Sequence, residues 1–305
     1  MIVIVLNLIL ILVLPLLFIG VINKTKAFWS GRKGPSLFQP FYDFARLLKK
    51  GMVISNITSF VFLIFPGITF GTTFFASLLI PFAFHTAVLN IDGAFIVFAY
   101  IMSLGKFFSI IGAMDTGSSF EGMGASREAS FSTIVEPAFF IIMGSIIALT
   151  DIYNFDSFTK IISKAGSIGY LIVILGAITL FMIILIEGCR VPVDDPNTHL
   201  ELTMIHEVMI LDNSGPDLAL LSYSAGMKMV AFASLIANLL IPAEIPFRIS
   251  LLLFIGLIVA IAMAVGTTES AIARLRMSRV FDFIFLTSSL SLIILSFVAI
   301  GLYGE

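Results

Sequence analysis

The sequence predicts an all-α polytopic membrane protein with eight transmembrane helices. Hydrophobic residues make up 59% of its 305 residues and charged residues only 12%, whereas soluble domains average roughly a quarter charged residues. Eight apolar stretches are long enough to cross the ~30 Å hydrocarbon layer of a bilayer. These predicted spans are residues 2–22, 57–84, 93–114, 131–150, 165–186, 218–243, 249–268 and 283–304. The loops reach 34 residues at most, so residues 1–305 are predicted to form a single membrane domain.

The first span is predicted to be a retained helix rather than a cleaved signal peptide. No basic residue precedes its apolar run, which is longer than the core of a signal peptide. Lys24 and Lys26 follow it, as in the flank of a stop-transfer segment.

Basic residues predict which side of the membrane each loop faces. Twelve of the 17 lysines and arginines lie in the loops after spans one, three, five and seven, and three lie in the loops on the other side. Loops rich in Lys and Arg remain in the cytoplasm. The first set is therefore predicted to be cytoplasmic, with both termini outside the plasma membrane of a prokaryotic cell.

Two long segments on the predicted cytoplasmic side carry opposite charge. Residues 23–56 have a net charge of +6 and residues 187–217 a net charge of −6. In the first segment, apolar residues recur at helical spacing between Phe41 and Leu48. This pattern predicts a short amphipathic helix on the membrane surface. It serves either as a lipid anchor or as a docking shelf for a soluble partner.

The acidic segment is predicted to contain a helix over about residues 199–211. A Thr-x-x-Glu capping box ending at Glu201 explains that carboxylate structurally. His199, His206 and Glu207 fall on one face, where they form either a proton relay or a set of satisfied hydrogen bonds. A zinc site is a further alternative, but the pattern lacks a third strong ligand.

Three charged residues fall inside predicted spans, namely Lys106, Glu136 and Lys228. Each such charge costs about 2.5–3.5 kcal/mol at the bilayer centre and therefore normally faces a bundle interior or water. A single buried pair would be explained by structure alone. Three charges next to an acidic loop favour a hydrated polar path.

The residue inventory excludes several kinds of chemistry for this chain alone. One cysteine and three histidines are too few to hold an iron–sulfur cluster. The sequence has neither Walker nor Rossmann glycine patterns, and a net charge of −2 does not point to nucleic acid. We expect no metal or redox cofactor bound by this chain.

Three blocks of sequence, each predicted to lie in a cytoplasmic loop, carry a family resemblance. They are Arg32-x-Gly34-Pro35 with Gln39-Pro40-Phe41-x-Asp43, then Gly122-x-Gly124-Ala125-Ser126-Arg127-Glu128, and then Glu187-x-x-Arg190-x-Pro192-x-Asp194. With these blocks the chain resembles the membrane subunit shared by respiratory complex I, where it is subunit 1, and the group 4 membrane-bound nickel–iron hydrogenases that include formate hydrogenlyase. Together with the eight spans, the resemblance covers nearly the whole chain.

Details within the blocks resemble the hydrogenase branch of this family. The Gly-Ala-Ser-Arg-Glu stretch and the run from Val193 to Glu207 are similar to that branch. Complex I members instead carry a pattern resembling Glu-Thr-Asn-Arg-x-Pro-Phe-Asp, from which Gly188, Cys189 and Val193 depart.

The resemblance implies roles for two groups of residues. The proton-path candidates are Glu187, Arg190, Asp194, Glu201, His206 and Glu207. Lys106, Glu136 and Lys228 are added to them because of the cost of a charge within a span. Glu187 also has a purely structural alternative, which is an ion pair with Arg190 on the next helical turn. The partner-docking candidates are Arg32, Lys33, Gly34, Pro35, Gln39, Asp43, Arg127 and Glu128.

The function that the resemblance implies is that of a non-catalytic, membrane-anchoring and energy-coupling subunit of a hydrogenase-type complex. The nickel–iron and iron–sulfur centres are then expected in soluble large and small partner subunits on the cytoplasmic face, with antiporter-like membrane subunits as neighbours in the bilayer. A quinone-binding subunit of a complex I-like NADH/quinone oxidoreductase is the main alternative. A stand-alone transporter is less favoured, because the two four-span halves show no internal repeat.

Overall fold

The computed structural model describes residues 2–82, 86–195, 204–242 and 244–303. Glu201 and His199, together with the predicted capping box, lie outside the described residues.

The described chain is built from helices, as predicted. Eight of them are long and apolar enough to cross a membrane, which confirms the predicted number of spans. Among the α-helices of the described residues, α2 and α7 are too short to cross a membrane, and Phe155–Lys160 form a short 3-10 helix between α5 and α6. The helices are α1 (Ile2–Trp29), α2 (Gln39–Leu48), α3 (Phe60–Leu78), α4 (Ala94–Asp115), α5 (Ser119–Thr150), α6 (Ile161–Glu187), α7 (His206–Met209), α8 (Gly215–Leu240), α9 (Phe247–Ala271) and α10 (Met277–Tyr303).

Helix α8 is the centre of the bundle. It packs against α1, α3, α6 and α9. Of an apolar stretch of 18 residues within it, 78% is buried, more than in the corresponding stretch of any of the other seven spans. Phe232 of α8 contacts the rings of Phe98 and Phe139, with centroids 5.7 and 5.8 Å away. A charge on α8 therefore faces other helices rather than lipid.

The two long charged segments lie at the same end of the bundle. The backbone amide of Val53 donates a hydrogen bond to Ser214 Oγ at 2.9 Å. The amide of Leu275, just after α9, donates to the carbonyl of Pro192 at 3.0 Å. The amphipathic helix predicted in the first segment is α2, which has no buried residue. Its Phe44 ring lies 5.1 Å from that of Tyr223 on α8.

Helix α5 begins earlier than the sequence predicted. The block from Gly122 to Glu128 was expected in a loop, but it forms the first turns of α5. The close packing of α5 against α7 explains the small residue at Gly124, since a Cβ there would lie 2.3 Å from Val208 Cγ1. Polar residues at the start of α5 lower the local hydropathy, so the apolar signal begins only near Phe131.

The helix predicted over residues 199–211 is much shorter in the described chain. Only His206–Met209 are helical there, and residues 196–203 lie outside the described residues.

Candidate functional site

Three spans bring a charged cluster together inside the bundle. Lys106 Nζ of α4 lies 2.5 Å from Oε1 of Glu187, the last residue of α6. Lys228 Nζ of α8 lies 3.5 Å from Oε2 of the same carboxylate, which is an ion-pair distance. The three side chains are 9%, 7% and 14% exposed. The two lysines that the sequence placed inside spans thus share one partner.

A cavity of about 30 Å³ adjoins the cluster, which is enough room for water. Glu128 and His206 line it beside the two lysines and Glu187. Its wall also includes the hydroxyls of Thr69 and Ser109, whose oxygens lie 2.9 Å apart. The site therefore combines carboxylates, ammonium groups, an imidazole and hydroxyls around a space that can hold water.

Glu128 lies inside the bundle rather than on the docking face predicted from its block. It is 9% exposed and lies within electrostatic range of Lys106, Lys228 and Glu187. Because the start of α5 is helical, this residue projects toward α4 and α8 instead of into a loop. The cavity wall therefore balances two carboxylates against two lysines.

Glu136 lies beside this cluster on α5. It accepts a hydrogen bond of 2.9 Å from Ser103 Oγ of α4. A second cavity of about 30 Å³ is lined by Lys106, Glu187 and Glu136 together. Glu136 is only partly buried, and its neighbour Pro137 is exposed on the outer surface of the bundle.

Arg190 does not pair with Glu187, so the structural alternative considered for Glu187 is wrong. Its Nη1 lies 3.3 Å from Oε1 of Glu269 on α9. The other oxygen of Glu269 lies 2.6 Å from Lys26 Nζ on α1. The Glu269 side chain is 0% exposed, so this carboxylate is enclosed between two cations.

Asp194 organises the turn that follows. Its carboxylate lies 3.0 Å from Nη2 of Arg274 and accepts hydrogen bonds from the backbone amides of Ile205 and His206 at 2.9 and 3.1 Å. Two of the carboxylates counted in the −6 segment, Glu187 and Asp194, therefore point inward and are neutralised within the chain.

The groups outside the spans differ in their proton affinity. Burial, assisted by nearby Lys228, lowers the pKa of His206 to about 4. Burial raises the pKa of Glu207, and Arg190 opposes that shift. Burial also raises the pKa of the Cys189 thiol well above its usual value. At neutral pH His206 is therefore an uncharged donor and acceptor at the cavity wall.

The remaining docking candidates lie at the end of the bundle that holds the long segments. Arg32, Lys33, Gly34 and Pro35 are exposed. In α2, Gln39 Nε2 donates to Asp43 Oδ1 at 2.9 Å. Arg127 Nη1 donates to the carbonyl of Met204 at 2.8 Å, so it anchors the segment before α7.

Sequence reasoning missed Glu269 and Arg274 as members of the site. The predicted seventh span ended at residue 268, so both residues fell in the loop that follows it and were not considered as partners of buried charges. A carboxylate directly after a long apolar run was the signal that could have drawn attention to Glu269.

Eight spans around a buried cluster of charges define a multi-pass membrane protein with a polar interior. The family described as NADH dehydrogenase has a model that matches residues 1–301, and the chain belongs to this family. It is similar to hydrogenase-4 component C of Escherichia coli (strain K12), with 27% identity over 77% of this chain and 73% of that protein.

Two further relatives represent both branches of the family. Formate hydrogenlyase subunit 4 of Escherichia coli (strain K12) is 24% identical over 88% of this chain and 89% of its own length. NADH-ubiquinone oxidoreductase chain 1 of Triticum aestivum is 27% identical over 84% and 86%. The chain is thus a membrane subunit of the type found in these hydrogenase and complex I-like proteins.

A solved structure has the same fold. A chain in the membrane-bound sulfane sulfur reductase, an archaeal respiratory membrane complex, superimposes with a TM-score of 0.83 at 18% identity, covering 97% of this chain and 98% of that chain.

Proposed function

We propose that this chain is the energy-coupling membrane subunit of a hydrogenase-type respiratory complex. It docks soluble redox subunits on the cytoplasmic face and links their electron transfer to translocation of protons or cations. It carries no redox centre itself, and the nickel–iron and iron–sulfur centres belong to its partners. The complex lies in the plasma membrane of a prokaryotic cell, with both termini of this chain outside.

The buried cluster of Lys106, Glu187 and Lys228 carries this proposal. A charge inside a span is costly unless it is paired or has a task in transport. Here two lysines and two carboxylates surround a cavity that can hold water, and His206 connects it to the segment after α6. A proton gained or lost on one member changes the field at the others across a few ångströms of low dielectric.

The path continues toward a neighbouring membrane subunit at Glu136. This carboxylate shares a cavity with Lys106 and Glu187, yet it is partly exposed on the flank of the bundle. A carboxylate facing lipid in mid-span is unfavourable. An antiporter-like subunit that presents a polar group there would cover Glu136 and receive the charge.

The docking face is proposed at the end of the bundle that holds both long segments. Exposed Arg32 and Lys33 lie close in sequence to Phe28, Trp29 and Phe38, which are 78%, 60% and 55% exposed. Aromatic residues and arginine are enriched in protein interfaces. This composition suits a soluble protein partner as well as the membrane surface.

Glu187→Gln tests the proposal. The complex is purified, reconstituted in vesicles and supplied with an artificial electron donor, and the ion gradient is measured per electron transferred. We expect electron transfer to continue while translocation falls severalfold. Glu244→Gln, an exposed carboxylate between α8 and α9, serves as the matched control. A wild-type gradient per electron in Glu187→Gln would contradict the role of this cluster.

A quinone-binding role is the second candidate, and one observation favours it. A cavity of about 200 Å³ lies between α1, α2 and α8, lined by Leu16, Ile19, Phe44 and Leu47 with Tyr223 and Asp43. An apolar chain with a polar head fits such a lining. Reduction of a short-chain quinone by the purified complex, lost in a Phe44→Trp variant that fills the cavity, would favour this role.

A further inference from the structure

Arg190 is the cation expected to neutralise Glu187, yet the fold directs it elsewhere. The two residues are three positions apart, the spacing at which helical side chains meet. Arg190 instead contacts Glu269 of α9, and it lies within electrostatic range of Glu207 and His206. Glu187 is left to Lys106 and Lys228.

The end of α6 explains how the chain separates these neighbours. The amide of Arg190 donates to the carbonyl of Leu185, and that of Cys189 to the carbonyl of Ile186. This pair of bonds is a Schellman motif, in which the residue at Cys189 adopts a left-handed conformation. Its φ is 49°. The helix therefore stops at Glu187, and Arg190 leaves along a different direction.

We propose that Glu269 is a positioning residue that holds Arg190 out of the Lys106–Glu187–Lys228 cluster. The proposal rests on the coupling function assigned to that cluster above. Lys26 is the second partner of Glu269 and is 25% exposed, whereas Arg190 is 11% exposed. Glu269 therefore holds two cations, Lys26 of α1 at 2.6 Å and the more buried Arg190, which follows α6, at 3.3 Å.

The reason to exclude Arg190 is the permanence of its charge. A guanidinium does not lose its proton in proteins, whereas a lysine ammonium can when buried. In the cavity wall, two carboxylates balance two lysines. A third cation beside Glu187 would add a positive charge that no proton transfer can remove, and the cluster would respond less to charge arriving from the redox arm.

The test compares ion translocation per electron in reconstituted complexes. Glu269→Gln releases Arg190 and should lower translocation severalfold while electron transfer from an artificial donor continues. The double variant Glu269→Gln with Arg190→Gln should recover translocation, because the released charge is gone. Lys26→Met is the matched control, since it also removes an ion pair of Glu269 but leaves Arg190 held.

A merely structural ion pair predicts a different pattern. In that case the double variant would couple no better than Glu269→Gln alone, and this result overturns the proposal, as does wild-type coupling in Glu269→Gln. If Glu269→Gln does not assemble, the same comparison is made with Glu269→Asp, whose shorter side chain withdraws the carboxylate from Arg190: coupling that falls and is recovered by adding Arg190→Gln supports the proposal, and any other pattern overturns it. Glu187→Gln measured in parallel separates the two proposals, because unchanged coupling there contradicts the function of the cluster itself.

Discussion

Lys106 and Glu187 form a buried ion pair of 2.5 Å between two spans, although 81 positions separate them in the sequence. Glu187 ends α6 and Lys106 lies within α4, so the pair joins two helices at the edge of a cavity. Burial makes each charge dependent on the other. Removing one partner leaves an uncompensated charge in a low-dielectric site, which is far costlier than replacing both.

Stability should therefore respond differently to single and double substitution of this pair. Lys106→Met is expected to lower the free energy of unfolding by up to about 3 kcal/mol, because Lys228 only partly replaces the lost partner. Lys106→Met with Glu187→Met should cost less than the single change. Thermal unfolding in detergent measures both, with exposed Lys49→Met as the control. An additive double variant would show that the two charges are not coupled.

The neutral state of His206 should make the protein less stable in mild acid. Its pKa falls from 6.5 to about 4 because the side chain is buried near Lys228. Below pH 6.5 the His206 side chain binds a proton in the unfolded chain but stays neutral in the folded chain until the pH approaches about 4. The contribution of neutral His206 to the free energy of unfolding is therefore fully present above pH 6.5. It is lost as the pH falls toward about 4, by up to about 1.4 kcal/mol per pH unit. His206→Gln should flatten this part of the pH–stability curve. An unchanged slope would refute the assignment.

The turn at Cys189 should favour glycine over alanine. A left-handed residue with φ of 49° is strained for any side chain with a Cβ. Cys189→Gly and Cys189→Ala both remove the thiol, so their difference isolates the backbone. We expect the glycine variant to be more stable by about 1 kcal/mol, measured by thermal unfolding. Equal stability would argue that the turn relaxes without cost.

Both charged segments should be accessible from the cytoplasm. Cysteines introduced at exposed Ser30 and Asp212 are expected to react with a membrane-impermeant maleimide only after cells are opened. A cysteine at Tyr153, which is 60% exposed between α5 and α6, should react in intact cells. The native Cys189 gives little background, because it is buried and burial raises the pKa of its thiol. Labelling of a cysteine at position 30 in intact cells would show that this segment faces the outside and would contradict the predicted orientation.

Charge reversal on the docking face should release the soluble partners. Arg32→Glu with Lys33→Glu replaces two exposed cations with anions. This change should reduce co-purification of partner subunits severalfold, because a partner surface that complements the cations would be repelled by the anions. This chain should still insert normally. Arg248→Glu, exposed at the other end of the bundle, is the control. Undiminished co-purification would place the interface elsewhere.

Hydropathy and periodicity were sufficient to predict the architecture. A span needs only a long apolar run, so all eight were found in the sequence, and the amphipathic spacing near Phe41 predicted α2. The cost of a charge in lipid likewise drew attention to Lys106 and Lys228 before any partner was known. These inferences succeed because each depends on properties of one continuous segment.

Tertiary structure alone decided which charges meet. Local spacing paired Glu187 with Arg190, but the fold pairs Glu187 with lysines from α4 and α8, and Arg190 with Glu269 from α9. Glu128 was assigned to a loop because polar residues at the start of α5 weaken the apolar signal, yet helix packing turns it toward the cavity. The sequence determined how many helices cross the membrane and which charges they carry. Only the packing of distant helices decided the partners, because a buried charge selects its neighbour by proximity in space and not by separation along the chain.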